Sequence, residues 1–308
     1  MGQDILAPPT LYYELETLRK LSEKDSIELA ELAVELGVDE IELKEVLSKL
    51  AKSFLIKVER ERVVWLHGDS PSRLHPWGWK YIYKVVIGST MLTAKRLQAW
   101  SAIVAEYQLR SYGRHGKRWI SNLGGIWLSC KLQVSSQVGQ LLPVAIPVKV
   151  CSYLRERLGI NVSIKWPNDI VYKEKKLAGI LLEGELLGDK MLVTVGLGIN
   201  ANNDPPLETA TSIKVLLGRL IPRNSIIAAL IGTLGRIEEL AKDYGEIQAK
   251  YIDLLDTLGK RVVITKTSGE VIKGVAKSVT DTGELVVETP GGVEKLSSSE
   301  AFEVRHSE

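Results

Sequence analysis

The sequence predicts a multidomain α+β protein, and three observations carry that reading. Apolar residues recur at helical spacing through residues 11–50. Strands joined by short turns dominate the middle of the chain. Closely spaced glycine and proline turns then break residues 261–305 into short β segments. The order is a helix-rich segment in a winged helix-turn-helix pattern, a mixed segment with a largely antiparallel sheet, and a small β-barrel.

Residues 11–21 place apolar side chains on one helical face. Asp25 and Ser26 can cap a second helix, which runs through Leu29, Leu32, Ala33 and Leu36 to a stop at Gly37. Asp39 caps a third, with Ile41, Leu43, Val46, Leu47 and Leu50 on its apolar side. Residues 54–66 read as two strands with the charged run Glu59-Arg60-Glu61-Arg62 at the turn. The polar stretch 68–76 holds two prolines and reads as a linker. Beyond it, 83–87 is a strand, 91–105 a helix, 126–132 a strand and 144–158 a helix ending at Gly159. Residues 164–172 and 176–183 form a hairpin around the turn 173–175, which brings Lys165 and Lys176 toward one end of a sheet. Residues 191–199 are a further strand and 225–254 are helical. The domain boundaries drawn from this reading are 1–67, a linker 68–80, 81–257 and 258–308.

Length and composition fit this plan. The 308 residues suffice for two or three domains, and 45% hydrophobic with 25% charged residues excludes disordered, collagen-like and disulfide-stapled classes. The longest nearly uncharged apolar stretch, 141–148, is short and holds two prolines, and residues 1–10 lack the basic end and apolar core of a secretory signal. A cytoplasmic protein without membrane contact is expected. Cys130 and Cys151 lack metal-ligand spacing and read as buried free thiols. The four histidines show no metal-ligand pairing, so no metal site is assigned. Net charge is +2, but residues 1–70 hold 9 basic against 15 acidic residues, a net of −6, and the remainder 31 against 23, a net of +8.

Four segments can carry chemistry. Ser111-Tyr112-Gly113-Arg114-His115-Gly116-Lys117-Arg118-Trp119 sets basic groups among two glycines, so that backbone N–H groups and cations can cradle an anion. Taken alone it reads equally as a solvated basic loop. Lys165-Trp166-Pro167-Asn168-Asp169 with Lys176-Leu177-Ala178-Gly179 sets lysines in otherwise apolar strands, costly without an anion, although outward lysines on an edge strand read the same way. Ile87-Gly88-Ser89-Thr90 turns a strand into a helix and can serve as a cap alone. Val195-Gly196-Leu197-Gly198-Ile199-Asn200 is a strand open to close backbone approach, and lacks the third glycine of a dinucleotide fingerprint. Together they suggest anion handling by positioned charges, with no Ser-His-Asp arrangement and no covalent nucleophile.

In this order, the segments resemble biotin protein ligases, specifically the bifunctional form with an N-terminal winged helix. The most specific parts are 165–169 with 176–179, the Gly-Arg-x-Gly-Lys-x-Trp loop, Gly88-Ser89-Thr90 and the stretch 274–285 with Asp281 and Gly283. The resemblance implies a class II synthetase-like catalytic domain and an SH3-like C-terminal barrel. It implies that biotin and ATP, with Mg²⁺, give biotinyl-5′-adenylate and pyrophosphate. The acyl group then passes to a lysine of a biotin carboxyl carrier protein. On this reading Arg114, Lys117 and Lys176 are catalytic. Ser89, Thr90, Gln108, Gly113, Arg114, Lys176, Gly179 and Gly196 bind biotin. Arg114, Lys117, Trp119, Lys176 and Asn200 bind ATP and the adenylate.

This chain departs from the family in having Ser111-Tyr112 where the loop usually begins Gly-Arg, and Met91 where Asn is usual. The resemblance also implies a homodimer and an operator-binding repressor. For DNA the candidates are Lys49, Lys52, Lys57, Arg60 and Arg62, set against a third helix that begins Asp39-Glu40-Ile41-Glu42 and adds Glu45. The alternatives are a winged-helix sensor of a small acid without turnover, and a related ligase using lipoate. Polar Ser89, Thr90 and Gln108 favour a ureido head over a dithiolane ring.

Overall fold

The computed structural model describes residues 9–307; the first eight residues of the N-terminal domain reading, and Glu308, lie outside them. The helical N-terminal segment comprises α1 (Tyr12–Glu23), a short strand β1 (Ile27–Glu28), α2 (Leu29–Leu36) and α3 (Glu40–Leu50). The strands β2 (Ile56–Glu59) and β3 (Arg62–Trp65) follow. They close a three-stranded sheet in the order β1-β3-β2. The second helix starts two or three residues later than its capping signal suggests: Ile27 and Glu28 pair with Val63 and Arg62, so the sheet claims the residues the helix would use. Gly37 ends α2 in the left-handed conformation at φ 67°. Asp39 forms a full capping box with Glu42 at the start of α3. Leu15, Leu18, Leu32, Leu43, Leu47, Phe54, Val63 and Trp65 are buried in one core with Val85.

Next come β4 (Lys80–Ile87), α4 (Thr90–Lys95), β5 (Ser101–Gln108), β6 (Ile126–Ser135), α5 (Ser136–Leu158), β7 (Ser163–Lys165), β8 (Asp169–Tyr172), β9 (Lys175–Leu187) and β10 (Lys190–Ile199). The strands are ordered β4-β5-β6-β10-β9-β8-β7. Pairing of β4 with β5 is parallel, and of β5 with β6 antiparallel, as is pairing along β7-β8-β9. Three expectations are corrected here. The helix expected over 91–105 stops at Lys95, because Ser101–Gln108 pairs with both β4 and β6. The helix expected from Val144 starts at Ser136, capped by Ser135, and carries Pro143 and Pro147 inside it. The strand expected over 164–172 is two strands, broken at the cis Trp166–Pro167 bond.

Then follow α6 (Ile213–Leu217), α7 (Arg223–Gly235), a 3₁₀ segment (Ile237–Asp243) and α8 (Tyr244–Leu254), so the single helix expected over 225–254 is interrupted. The chain ends in β11 (Arg261–Lys266), β12 (Val271–Val279), β13 (Leu285–Thr289), β14 (Gly292–Leu296) and β15 (Ala301–Ser307), an antiparallel sheet ordered β14-β13-β12-β11-β15. Gly274 lets β12 approach β13: a Cβ there would lie 2.3 Å from the carbonyl oxygen of Glu288.

The chain forms two compact units. The first holds residues up to 112 with 118–131 and 196–232, and the second holds 113–117, 132–195 and 233–308. Among the described residues no helix is long and apolar enough to cross a membrane. Cys130 and Cys151 are buried free thiols; burial raises the pKa of both, that of Cys151 to about 12.

Candidate functional site

In the first unit, parallel pairing sets Ile87 beside Gln108 and so brings the start of α4 to the end of β5. Ser89 caps α4, its Oγ accepting from Leu92 N at 3.3 Å. Thr90 donates to Gln108 Oε1 twice, from its backbone N at 2.8 Å and its Oγ1 at 2.9 Å. Gln108 Nε2 donates to Ser121 Oγ at 2.9 Å. Ser129 Oγ donates to Thr90 Oγ1 at 2.8 Å. Ser111 Oγ donates to the Trp119 carbonyl at 2.7 Å and stands 2.9 Å from Ser121 Oγ.

Each hydroxyl has one proton to give, so the chain runs one way: Ser129 to Thr90, Thr90 to Gln108, Gln108 to Ser121, Ser121 to Ser111, Ser111 to the backbone. Ser89, Thr90, Ser111, Ser121 and Ser129 are all buried. Such a file of polar groups is held in an apolar layer only because its members satisfy one another. The same groups can pair with a ligand that both donates and accepts.

Gly196 is buried within β10. A Cβ on Gly198 would stand 2.7 Å from the Trp119 indole, which therefore lies on bare backbone. Trp119 also meets Trp127 edge-on at 6.3 Å. Asn200, buried, follows β10 directly, and its Oδ1 accepts from Asn203 Nδ2 at 3.0 Å.

In the second unit, residues 113–117 make a tight turn with His115 at φ 55° and Gly116 at φ 71°. Gly113 N donates to the Lys117 carbonyl at 2.8 Å. Arg114 Nη1 lies 3.4 Å from Asn168 Oδ1. Asn168 in turn is fastened to β9: its Nδ2 donates to the Ile180 carbonyl, and Ile180 N donates to its own carbonyl at 3.1 Å. Lys176 Nζ pairs with Asp169 Oδ1 at 2.7 Å.

A β-bulge makes this pair. Asp169 stands opposite Gly179, but the register shifts after Ile170, so Val171 stands opposite Lys176. Opposite residues share a face, as do Asp169 and Val171, two apart. The bulge thus turns Lys176 onto the face of Asp169; an unbroken ladder would turn it away. Burial lowers the pKa of the Arg114 guanidinium and the Asp169 carboxylate partly offsets this; the group stays charged. Arg114 and Lys176 thus converge on the neighbouring residues Asn168 and Asp169. Lys165 is the ladder partner of Asp169. Trp166 anchors the segment, its N donating to Thr257 Oγ1 at 2.9 Å and its Nε1 to the Gly283 carbonyl at 2.8 Å.

Sequence reasoning missed Ser121 and Ser129, which no motif marks, as well as the contact of Gly198 and the bulge. Glu174, Asp256 and His306 gather their ligand atoms within 4.8 Å of one another. That cluster holds its own cation, since Lys260 Nζ lies 2.8 Å from Asp256 and 3.3 Å from Glu174.

The candidate DNA contacts mostly face carboxylates. Lys49 pairs with Glu14 at 3.7 Å, Lys57 with Glu59, and Arg62 with Glu28. The Lys52 carbonyl accepts from Lys214 Nζ at 3.0 Å, and Arg60 sits in the turn between β2 and β3 at φ 48°.

Comparison with known proteins matches two family models: the biotin/lipoate A/B protein ligase family over residues 86–200, and the biotin protein ligase C-terminal domain over residues 257–302. The bifunctional ligase/repressor BirA of Bacillus subtilis is 32% identical over 242 residues, covering 72% of this chain and 74% of that protein. The biotin–[acetyl-CoA-carboxylase] ligase of Mycobacterium tuberculosis is 27% identical over 221 residues, 66% of this chain and 79% of that protein. Among solved structures, the biotin protein ligase of Aquifex aeolicus in complex with biotin and ATP superposes with a TM-score of 0.63 at 27% identity, covering 74% of this chain and 99% of that one.

Proposed function

This chain belongs to the biotin protein ligase family, and from that premise we propose how its residues divide the work of an ATP-dependent biotin–protein ligase. The convergence of Arg114 and Lys176 on Asn168–Asp169 carries the reading. A biotin carboxylate attacking the α-phosphorus of ATP must approach like charge, and cations held at that point lower the cost. The carboxylate oxygen bonds to phosphorus, the bond to the bridging oxygen breaks, and pyrophosphate leaves. Arg114, Lys117 and Lys176 stabilise the charge spread over the phosphoryl oxygens. A neutral carrier lysine then attacks the acyl carbon, AMP leaves with the bonding electron pair, and the amine loses a proton to solvent.

The hydroxyl and amide file Ser129–Thr90–Gln108–Ser121–Ser111 is assigned to the ureido ring, whose carbonyl accepts and whose two N–H groups donate. Each lost bond to that ring costs about 1–3 kcal/mol. Ser89 sets the start of α4, and Gly113, Gly179 and Gly196 are assigned to backbone access. Trp119 offers its face to adenine and Asn200 its amide to the phosphates. The donor set also fits Mg²⁺ carried mainly by phosphates and water: Asn200 and Asn203 would hold it through amide oxygens, and buried Asn203 Oδ1 has no hydrogen-bond partner among the described residues. The ion would supply positive charge at the phosphates.

The test is biotin-dependent ATP–pyrophosphate exchange. Exchange with biotin is expected. Exchange with lipoate alone would make the chain a lipoate-type ligase, and none with either would make it a sensor.

The three helices and three-stranded sheet of residues 12–65 are assigned as a winged helix. A repressor role is supported by the name of the Bacillus subtilis relative and opposed by the carboxylates paired with Lys49, Lys57 and Arg62. A mobility-shift assay on the organism's own biotin-gene promoter, with biotin and ATP, decides. No shift at low salt ends the repressor reading.

A further inference from the structure

We propose that Phe302, at the head of β15, is a positioning residue for the basic loop. Together with the carbonyls of Ser298 and Ala301 it aims Arg114 and Lys117 at the nucleotide. The proposal rests on the reading above, in which those two cations act on phosphate.

Three side chains of one turn, Arg114, His115 and Lys117, reach a single stretch of five residues. Arg114 Nη2 donates to the carbonyl of Ser298 and, at 2.5 Å, to that of Ala301. His115 Nε2 lies 3.0 Å from the same Ala301 oxygen, and its ring lies 5.5 Å from that of Phe302 at a 40° tilt. Lys117 Nζ donates to the Phe302 carbonyl at 3.1 Å and sits 3.9 Å above the centre of the Phe302 ring. The strand alternation at this point turns Ala301 fully inward and leaves Phe302 40% exposed. An outward phenylalanine gains little from burial; here its face is taken up by an ammonium.

The chemistry of these partners matters more than their number. Carbonyl oxygens and an aromatic face orient a cation without cancelling its charge. A carboxylate in the same place would hold the loop as well and neutralise it. Among the described residues Arg114 and Lys117 have no carboxylate within ion-pair distance, so the loop is fixed and still positive. That is preorganisation suited to a phosphoryl transfer, because neither of these two loop cations has to leave a counter-ion when the substrate arrives. Three of the four handles, the carbonyls of Ser298, Ala301 and Phe302, are backbone and unchanged by most substitutions. The Phe302 ring is the one that mutation can remove.

The test compares Phe302→Ala, Phe302→Leu and Phe302→Tyr in the full chain. The readouts are KM for ATP, kcat for pyrophosphate exchange, and labelling of lysines on an added bystander protein by escaped adenylate. Phe302→Ala and Phe302→Leu are expected to raise KM for ATP about three- to tenfold and to increase bystander labelling, with kcat changed less than KM. Phe302→Tyr keeps the ring and is expected to restore most of the wild-type behaviour. If Phe302→Ala fails to fold, Leu against Tyr still decides.

Unchanged KM and labelling in the Leu variant, or equal rescue by Leu and Tyr, would overturn the proposal. Arg114→Gly is run beside them. If it leaks adenylate while the Phe302 variants do not, only the positioning role falls. If Arg114→Gly also has no effect, the phosphate reading itself is wrong.

Discussion

Lys49, Lys57 and Arg62 of the N-terminal segment each end on a carboxylate, whereas Arg114 and Lys117 of the basic loop end on carbonyl oxygens and an aromatic ring. The residue types are the same and the outcome is opposite. In the N-terminal segment, charge is spent within the fold; the exposed pairs Lys57–Glu59 and Arg62–Glu28 are worth about 0–1 kcal/mol of stability each. In the loop the side chains are held while their charge stays available to a ligand. A count of basic residues would rank the two regions alike. The partner that orients each of these cations separates the N-terminal pairs from the loop; Lys176, which ends on Asp169 at 2.7 Å, stands outside this contrast.

Predictions follow from breaking one side of this contrast at a time. The largest effect is expected from Lys176→Ala, which removes the cation that the bulge in β9 turns toward Asp169. Pyrophosphate exchange should fall about a hundredfold or more. Carrier labelling from supplied synthetic adenylate should fall far less, and an equal loss in both assays would count against its role in the first step. Arg114→Gly is expected next: the adenylate should escape and label bystander lysines, seen as biotin on an added inert protein. Labelling confined to the carrier would show that Arg114 does not retain the intermediate. Gln108→Leu breaks the polar file at its centre and should weaken biotin binding about tenfold by calorimetry, with KM for ATP much less affected.

In the N-terminal segment, Glu28→Gln with Glu59→Gln releases Arg62 and Lys57. Nonspecific DNA affinity should rise a few-fold at low salt and the gain should vanish at high salt. An unchanged affinity would mean that the pairing is not what silences these cations.

The smallest effect concerns the buried junction of Asp69, Arg223 and Glu106 beside β3. Asp69 accepts from Leu55 N at 2.9 Å and Trp65 Nε1 at 3.0 Å, and Arg223 joins Asp69 at 2.6 Å to Glu106 at 2.7 Å. Desolvation, with the nearby Asp69 carboxylate, pushes the Glu106 pKa above its ordinary 4.5, against the Arg223 guanidinium and the Tyr83 hydroxyl, which pull it down. A raised carboxyl pKa means that the folded state binds more protons, so this group's contribution to stability falls as pH rises from 4.5 through the folded pKa. Comparing melting temperature against pH for wild type and Glu106→Gln should show a difference that changes over that window. A constant difference would place the pKa at its ordinary value.

Much of this was legible in the chain. Gly37 and Asp39 bound the helices they were expected to bound, because caps are local chemistry. The helix expected over 91–105 was lost to β5, since pairing with β4 and β6 outweighs local periodicity. At the candidate site, the motif residues Thr90, Gln108, Arg114 and Lys176 could be named, but not what holds them. Ser121 and Ser129 are unremarkable in sequence and become visible only once β5 and β6 pair. The face of Lys176 depends on a bulge that no spacing rule announces. Phe302 lies 185 residues from Lys117, so its part is written in tertiary structure alone.

The most direct measurement is ATP–pyrophosphate exchange with and without biotin, on wild type, Arg114→Gly and Lys176→Ala in one series. The account predicts exchange that depends on biotin in the wild type, a loss of about a hundredfold or more with Lys176→Ala, and escaped adenylate with Arg114→Gly. Full exchange in the Lys176 variant, or exchange in the wild type that ignores biotin, would contradict it.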